Sequence, residues 1–478
     1  MMLGDLKQNR IFYYFEQISS IPHGSGNTKA VSDYCASVAE KLGLCYRQDE
    51  LNNIIIYKNG SVGREGEQPI ILQGHLDMVC EKDPEKTFDF SKDGLQLKVE
   101  GDILSADGTT LGADDGIAVA MGLALLEEKD LSHPPLEVLF TVDEETGMFG
   151  AAGLSTDWLK GKQLINIDSE EEGVLTVGCA GGARADISIE LIPTAVSAPC
   201  YKVVIDGLAG GHSGVEIHKG RYNANKVMGE FLLQFDDLCL IELAGGQKDN
   251  VIPSYCEAII STEGDPQTLT NTFVAERQNE ANPDLCVTVT PIEPQMMGYD
   301  SFSSRAAVNM LCRLPDGVQQ WSPDIDGLVQ TSLNLGIMKL ENDALHLSFA
   351  LRSSLGSEKE ELLRRLAFIS TKYGAEFSVG AQYPAWEFVK NSPLREKMIA
   401  VFERQYGITP KIEIIHAGLE CGLLSEKIKG MDAVSIGPQM WDIHSPRERL
   451  SISSAERTYE YVKQVLKEIE YVKTHTNY

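Results

Sequence analysis

The period of apolar positions changes several times along the chain, and each change predicts an element. Ile11, Phe12, Phe15 and Ile18 recur at helical spacing within residues 5 to 20, and the IPHGSGN stretch ends that helix. Asn27 stands where a cap is expected, opening a second helix through about Leu42 with Val31, Tyr34, Val38 and Leu42 as apolar positions. NNIIIYK (52–58) and the run from Pro69 to Gly74 read as sheet strands, and residues 95 to 106 alternate as short strands. The next segment, LGADDGIAVAMGLALLEE, is a loop entering a helix. Gly112 permits a tight turn there, and Asp114 and Asp115 stand at the helix start. LEVLFTVDEETG (136–147) and QLINIDSEEEG (163–173) are further strands of an α/β domain.

After about residue 183 the style changes. ARADISIEL, YKVVIDGL, CEAIISTE, LCVTVTPIE and ALHLSFALRSS are further strands, and GGHSGVEIHKGRYNANKVMGEFLLQF is a glycine-rich loop entering a helix. Antiparallel patterning of this kind predicts an α+β sheet with helices on one face. From about residue 392 helix and strand alternate again, ending in a helix from about Ser454. The predicted fold is α/β: a main domain with a mixed sheet flanked by helices, in two pieces (1–183 and 392–478), interrupted by an inserted α+β domain (184–391).

Composition excludes some functions. The chain carries 42 Lys plus Arg against 70 Asp plus Glu, a formal charge of -28, and such a field repels nucleic acid and anionic lipid. The N-terminal MMLGDLKQNRIFYYF has no apolar signal-type core, and no later run is long enough to span a bilayer, so a cytoplasmic location is expected. Ten cysteines without a CxxC pair predict reduced, mostly buried thiols.

The ends of three strands carry the candidate chemistry. PIILQGHLDMV delivers His75 and Asp77 to a sheet edge, TVDEETG delivers Asp143, Glu144 and Glu145, and INIDSEEEG delivers Asp168. Open α/β sheets place their sites outside strand C-terminal ends. Like charges gathered there repel, so a fold that holds them near a cleft holds a cation as well. Asp115 reads as a cap or a solvent-facing group, and Glu170, Glu171 and Glu172 as a solvated turn.

The ordered strings GHLDMV, LGADDGIA, TVDEETGM, INIDSEEEG, GGHSGVEIHKGRYNANK, IHAGLECG and DIHSPRERL resemble the co-catalytic zinc peptidases, in particular the aminoacyl-histidine dipeptidase branch, over essentially the whole chain. The resemblance implies two divalent ions, zinc with manganese or cobalt as alternatives, held by His75, Asp114, Glu145, Asp168 and His444, with Asp114 bridging. It implies that Asp77 orients His75 and that Glu144 is the general base for a metal-bridged water. His212 is implied as an oxyanion stabiliser, Asn250 and Arg352 as substrate-binding residues, with Arg352 suited to a C-terminal carboxylate, and Glu420 as the partner of a free amino group. His218 and His416 rank below these, and His23, His133, His346 and His475 show no site context. The segment after His444 departs from the branch's pattern at Arg447.

The expected activity is hydrolysis of unblocked dipeptides, Xaa-His among them, by a cytoplasmic homodimer joined through an inserted domain that serves as lid and dimerisation surface. An aminoacylase or tripeptidase on the same metal site is the alternative enzyme. A non-catalytic peptide- or metal-binding protein is the alternative outside catalysis, and the presence of both Glu144 and Asp77 argues against it.

Overall fold

The structure is a computed structural model describing residues 4–323 and 325–469; His475 lies outside the described residues. The chain divides into two compact units, one made of Met1–Gly178, Phe388–Ile414 and Leu419–Tyr478, the other of Cys179–Glu387 and Ile415–Gly418. The sequence boundaries at 183 and 391 lie within five residues of these, while residues 415–418, expected in the outer piece, join the second unit.

The first unit is built on an eight-stranded mixed sheet. At its centre Leu136–Thr141, Ile70–His75, Gln163–Asn166 and Asp432–Ser435 run parallel, in that spatial order. Ile70–His75 and Leu136–Thr141 are buried at every position, as expected for central strands covered on both faces. The helix Arg10–Ser19 buries Ile11, Phe12, Phe15 and Ile18, and the Asn9 side chain caps it by accepting from the Ile11 N–H at 3.1 Å. The second helix, Lys29–Leu42, is not capped by Asn27: Thr28 is its cap residue, without a side-chain bond, and the Asn27 N–H closes a turn on the Gly24 carbonyl. Glu172 is not solvated either, because Arg457 grips both its carboxylate oxygens and Tyr406 donates to it.

A small antiparallel sheet matters more for the site. Met440–Trp441 and Arg449–Ser451 form a hairpin, and Arg449–Ser451 pairs with Ile103–Ala106, the strand that feeds the Asp114 loop.

The second unit is an antiparallel sheet of nine strands. Residues along Gly181–Glu190 alternate in burial. Its inward side chains Ala185 and Ile187 share one apolar core with Phe231, Leu311 and Leu366 from three helices. Five of the ten cysteines are buried, while Cys45, Cys80 and Cys286 are exposed, more than the thiol expectation allowed.

Candidate metal centre

Three parallel strands in register place the acidic groups together. His75 pairs with Thr141, and Gln73 with Asn166, so the residues just beyond, Asp77, Glu144, Glu145 and Asp168, leave the sheet at one edge. The hairpin that contains His444 completes the set. His444 itself sits at φ +57°, in the left-handed region that a tight loop imposes.

Hydrogen-bond geometry tests whether these residues fit a metal. His75 Nδ1 lies 2.9 Å from the Asp77 carbonyl oxygen, which can only accept, so Nδ1 carries the proton. Nε2 therefore faces Asp114 Oδ1 at 3.2 Å and Asp168 Oδ1 at 3.6 Å with a lone pair, unless a second proton is bound. His444 Nε2 stands 3.1 Å from Asp114 Oδ2 and 3.0 Å from Glu145 Oε1. Each arrangement calls for a cation between nitrogen and oxygens. Without a metal that cation is a proton. Burial disfavours the imidazolium of His75, but Asp114, Asp168 and Asp77 outweigh it and hold its pKa well above the ordinary value. Asp114 and Glu145 push His444 up to about 11. Two protons on the imidazoles do not balance Asp77, Asp114, Glu145 and Asp168, and burial pushes the Asp115 and Glu144 carboxyls up toward their neutral forms. Ligand atoms of His75, Asp114 and Glu145, and of His75, Asp115 and Asp168, lie within 4.8 Å of one another in each group. Imidazole and carboxylate donors at this density suit divalent ions.

The Asp114 loop is shaped by a residue that the sequence reading did not single out. Glu448, 3% exposed, accepts from the N–H groups of Leu111 (2.7 Å), Gly112 (3.0 Å), Ala113 (2.8 Å) and Asp114 (3.3 Å). Gly112 adopts φ +64°, and a Cβ there would meet Met78 Sδ at 2.9 Å, so the turn requires glycine. Asp114 and Asp115 are joined by a cis peptide bond and have non-helical dihedrals inside Ala113–Glu127.

Asp115 corrects its expected role. It is fully buried, and its Oδ2 accepts from the His75 N–H at 3.1 Å. The reason is that Ala113–Leu126 is buried at every residue and offers no solvent face. Gly74 makes the contact possible, since a Cβ there would lie 2.5 Å from Asp115 Oδ2.

Asp77 divides its work. Its carbonyl oxygen orients His75, with Oδ1 farther away at 3.5 Å, while its carboxylate accepts from the N–H groups of Glu144 (3.0 Å) and Glu145 (3.3 Å) and from Ser25 Oγ (2.8 Å). One residue thus sets both the histidine and the glutamate pair. The Glu144 carboxylate has no hydrogen-bond partner among the described residues, and burial, with Asp168, Glu420 and Glu145 nearby, pushes it up to about 9.

Glu420, expected as the partner of a free amino group, leaves Oε1 without a hydrogen-bond partner among the described residues. It is fully buried, and its Oε2 is taken by Gln73 Nε2 at 2.6 Å and Thr141 Oγ1 at 2.5 Å, beneath the strands that carry His75 and Glu144. It braces two strand ends.

Within the second unit His212 accepts at Nδ1 from the N–H groups of Gly214 (3.1 Å) and Val215 (3.2 Å). Two donors at Nδ1 leave the ring proton on Nε2. Burial and the nearby Arg352 charge lower the His212 pKa, keeping the ring neutral. Asn250 is exposed, and its carbonyl accepts from the Ser213 N–H at 2.9 Å, next to the pairing of His212 with Val251. Arg352 Nη1 donates to the Tyr383 hydroxyl at 3.2 Å. His416 is buried against Ser332, whereas His218 and Arg447 are exposed. His23 and His133 are core residues bonded to the carbonyls of Ile21 and Pro134.

The sequence pattern of the peptidase family M20/M25/M40 matches residues 71–468. The chain is similar to the cytosol non-specific dipeptidase of Escherichia coli strain K12, 37% identical over 479 residues that cover 98% of this chain and 99% of the relative. Among solved structures it is similar to the aminoacylhistidine dipeptidase from Vibrio alginolyticus, with a TM-score of 0.91, 33% identity and 97% of each chain covered. It is also similar to the aminopeptidase PepT from Bacillus cereus, with a TM-score of 0.59, 16% identity, and 96% of this chain and 98% of that one covered, a likeness of fold alone.

Proposed function

The chain belongs to the peptidase family M20/M25/M40, and on that premise we propose that it is a metal-dependent dipeptidase acting on unblocked dipeptides, Xaa-His among them. The full-length likeness to a cytosol non-specific dipeptidase and to an aminoacylhistidine dipeptidase supports that substrate class and a cytoplasmic location. No helix among the described residues is long and apolar enough to cross a membrane. The observation that carries the reading is Asp114, whose two oxygens face His75 and His444 separately, at 3.2 and 3.1 Å.

His75 and Asp168 would hold one ion, His444 and Glu145 the other, and Asp114 both, with zinc best suited and manganese or cobalt the alternatives. When bound, the ions supply polarisation of the scissile carbonyl and a lowered pKa for the attacking water. Glu144, kept in its carboxylate form by the charge that bound ions would bring beside it, takes the water's proton and delivers it to the leaving amine. Asp77 holds the Glu144 backbone in place for that transfer. His212 donates its Nε2–H to the oxyanion, Arg352 pairs with the substrate carboxylate, and Asn250 contributes a polar contact.

The second unit acts as lid and dimerisation domain. Exposed Ile192, Met296, Met297 and Phe302 support an interface there, because backbone bonds from Asp300 to Ile192 and from Val196 to Met296 bring their segments together. Sedimentation of the purified chain checks the dimer.

The activity is tested by histidine release from β-Ala-His, Gly-His and Ala-His, with Ala-Leu and N-acetyl-His alongside, using enzyme stripped of metal and reloaded with zinc or manganese. Metal-dependent cleavage of the free dipeptides is expected. Cleavage of N-acetyl-His alone would move the assignment to an aminoacylase, which needs no partner for a free amino group.

A further inference from the structure

Ile252 pairs with Gly211, next to His212, and with Val318 and Trp321 it forms an apolar wall of a cavity of about 460 Å³ in the second unit. That is a usual size for a small-molecule site. Asp316 lines the same cavity, and its Oδ1 alone is bonded, to the Leu335 N–H at 2.8 Å and to Asn223 Nδ2 at 3.2 Å. Oδ2 has no hydrogen-bond partner among the described residues and is not sealed from open space. Burial pushes the Asp316 pKa up to about 6, which leaves it a carboxylate at neutral pH. Lys226 lies nearby, but its ammonium donates to the carbonyls of Leu311 and Leu314. A buried carboxylate with one oxygen open to a cavity calls for a cationic donor.

Arg221 supplies the opposite charge on the cavity lining. Its Nη1 is taken by the Gly210 carbonyl and by Glu216 Oε1 at 3.2 Å, while Nε and Nη2 have no partner among the described residues. Arg277, also on the lining, is instead engaged by Glu230 and stacked on Phe273. An open carboxylate oxygen, an open guanidinium edge and an apolar wall on one cavity match a zwitterion with an apolar side chain. The simplest such molecule is a free α-amino acid.

Two chains of bonds lead from the cavity to His212. Glu216, the acid that Arg221 holds, accepts from the His212 N–H at 3.0 Å through Oε2. Asn223, bonded to Asp316, also donates to Asn334 Oδ1 at 3.2 Å, and Asn334 Nδ2 donates to the carbonyl of Val251 at 2.8 Å, the residue opposite His212. A ligand carboxylate on Arg221 competes with Glu216 and so loosens the acid that fixes the His212 backbone.

We propose that this cavity is an effector site for a free α-amino acid with an apolar side chain, its ammonium on Asp316 and its carboxylate on Arg221, and that occupation slows turnover through the His212 loop. The binding site stands on the cavity and its open groups. The slowing, and the ligand's place among the reaction products, rest on the dipeptidase reading.

The test is titration of the zinc-loaded enzyme with L-leucine, buffered well above the Asp316 pKa, read by the fluorescence of Trp321 and by the rate of Gly-His hydrolysis. Trp321→Phe identifies the part of the signal that comes from the cavity. The fluorescence should shift with L-leucine, and Asp316→Asn should need roughly tenfold to a hundredfold more of it, the loss of one charge-assisted bond. N-acetyl-leucine and leucinamide, each lacking one charge, should bind at least about tenfold more weakly. At saturation kcat for Gly-His should fall about fivefold or more with KM changed little. Val318→Phe, which fills the cavity and leaves Asp316 in place, should abolish both responses, and it carries the test should Asp316→Asn fail to fold. The proposal is overturned by no shift, by a midpoint unchanged in Asp316→Asn and Val318→Phe, by an unchanged kcat, or by a rise in KM alone, which would put leucine in the peptide site. An enzyme that cleaves Gly-His without a leucine response keeps the dipeptidase reading and loses the cavity site. A protein whose Trp321 responds to leucine but which cleaves no dipeptide keeps the binding site and loses the dipeptidase reading, and the effector role with it.

Discussion

Glu448 Oε2 accepts a hydrogen bond from the Leu111 N–H at 2.7 Å, across 337 positions of sequence. The same carboxylate takes the next three N–H groups, so the loop that ends in Asp114 is wound around an acid from the His444 hairpin. The two halves of the metal centre are keyed to each other by one side chain.

Glu448→Ala leaves four buried N–H groups without an acceptor. We expect a loss of about 2–4 kcal/mol in unfolding free energy and metal binding weaker by roughly 10- to 100-fold. Urea unfolding of metal-free protein and a metal titration measure the two effects. Unchanged metal affinity would show that the loop keeps its shape without the clamp.

Glu144→Gln should bind both ions as the wild type does, because the Glu144 carboxylate has no bond to surrender, while kcat falls by roughly 10²- to 10⁴-fold. Elemental analysis beside steady-state kinetics separates the two quantities. A variant that loses metal would reverse the roles assigned to Glu144 and Glu145.

His212→Ala removes a neutral donor whose proton is held on Nε2. The expected result is a kcat lower by about 10²- to 10³-fold with KM changed little, the pattern of a bond made mainly in the transition state. A rise in KM with kcat intact would place His212 in ground-state binding.

Asp316 is the acid to watch for pH-dependent stability. Its Oδ1 accepts from the Leu335 N–H at 2.8 Å and from Asn223 at 3.2 Å, yet burial pushes its pKa from 3.8 up to about 6. A carboxyl raised on folding binds its proton more tightly in the native state. Its contribution is therefore complete below about pH 4, is lost as pH rises to about 6, and stays lost above that. Asp316→Asn should flatten the stability profile across that window relative to the wild type, by about 1–3 kcal/mol. Chemical denaturation at half-unit steps of pH reads the difference.

The parts of the site that lie at strand ends were legible because a strand end is a local pattern. An apolar run followed by His75 and Asp77, or by Glu144 and Glu145, identifies itself within a dozen residues. Glu448 has no such signature, since its partners are backbone groups more than 330 positions away. The faint sign was an acid four residues beyond His444. Asp115 was misread for a different reason. Carboxylates at helix starts usually face water, but DDGIAVAMGLALL is apolar all round and has no wet side to offer. Glu420 was read as a substrate contact because the motif around it is distinctive; its burial under Gln73 and Thr141 is a matter of packing that no single segment reveals. In the fold, the strand Val329–Glu341 escaped notice, since Gln330, Ser332 and Asn334 break its apolar run and yet are buried.

The central sheet carries a consequence for synthesis. Asp432–Ser435 lies between Gln163–Asn166 and Val174–Cys179, so the sheet has a gap until the ribosome has passed residue 435, and His444 and Glu448 emerge later still. The second unit, almost all of it one continuous stretch from Cys179 to Glu387, emerges complete before then and is free to fold first. The nascent chain therefore carries its acid cluster without the hairpin that closes it, and it gains hydrolytic competence only once His444 and Glu448 have emerged.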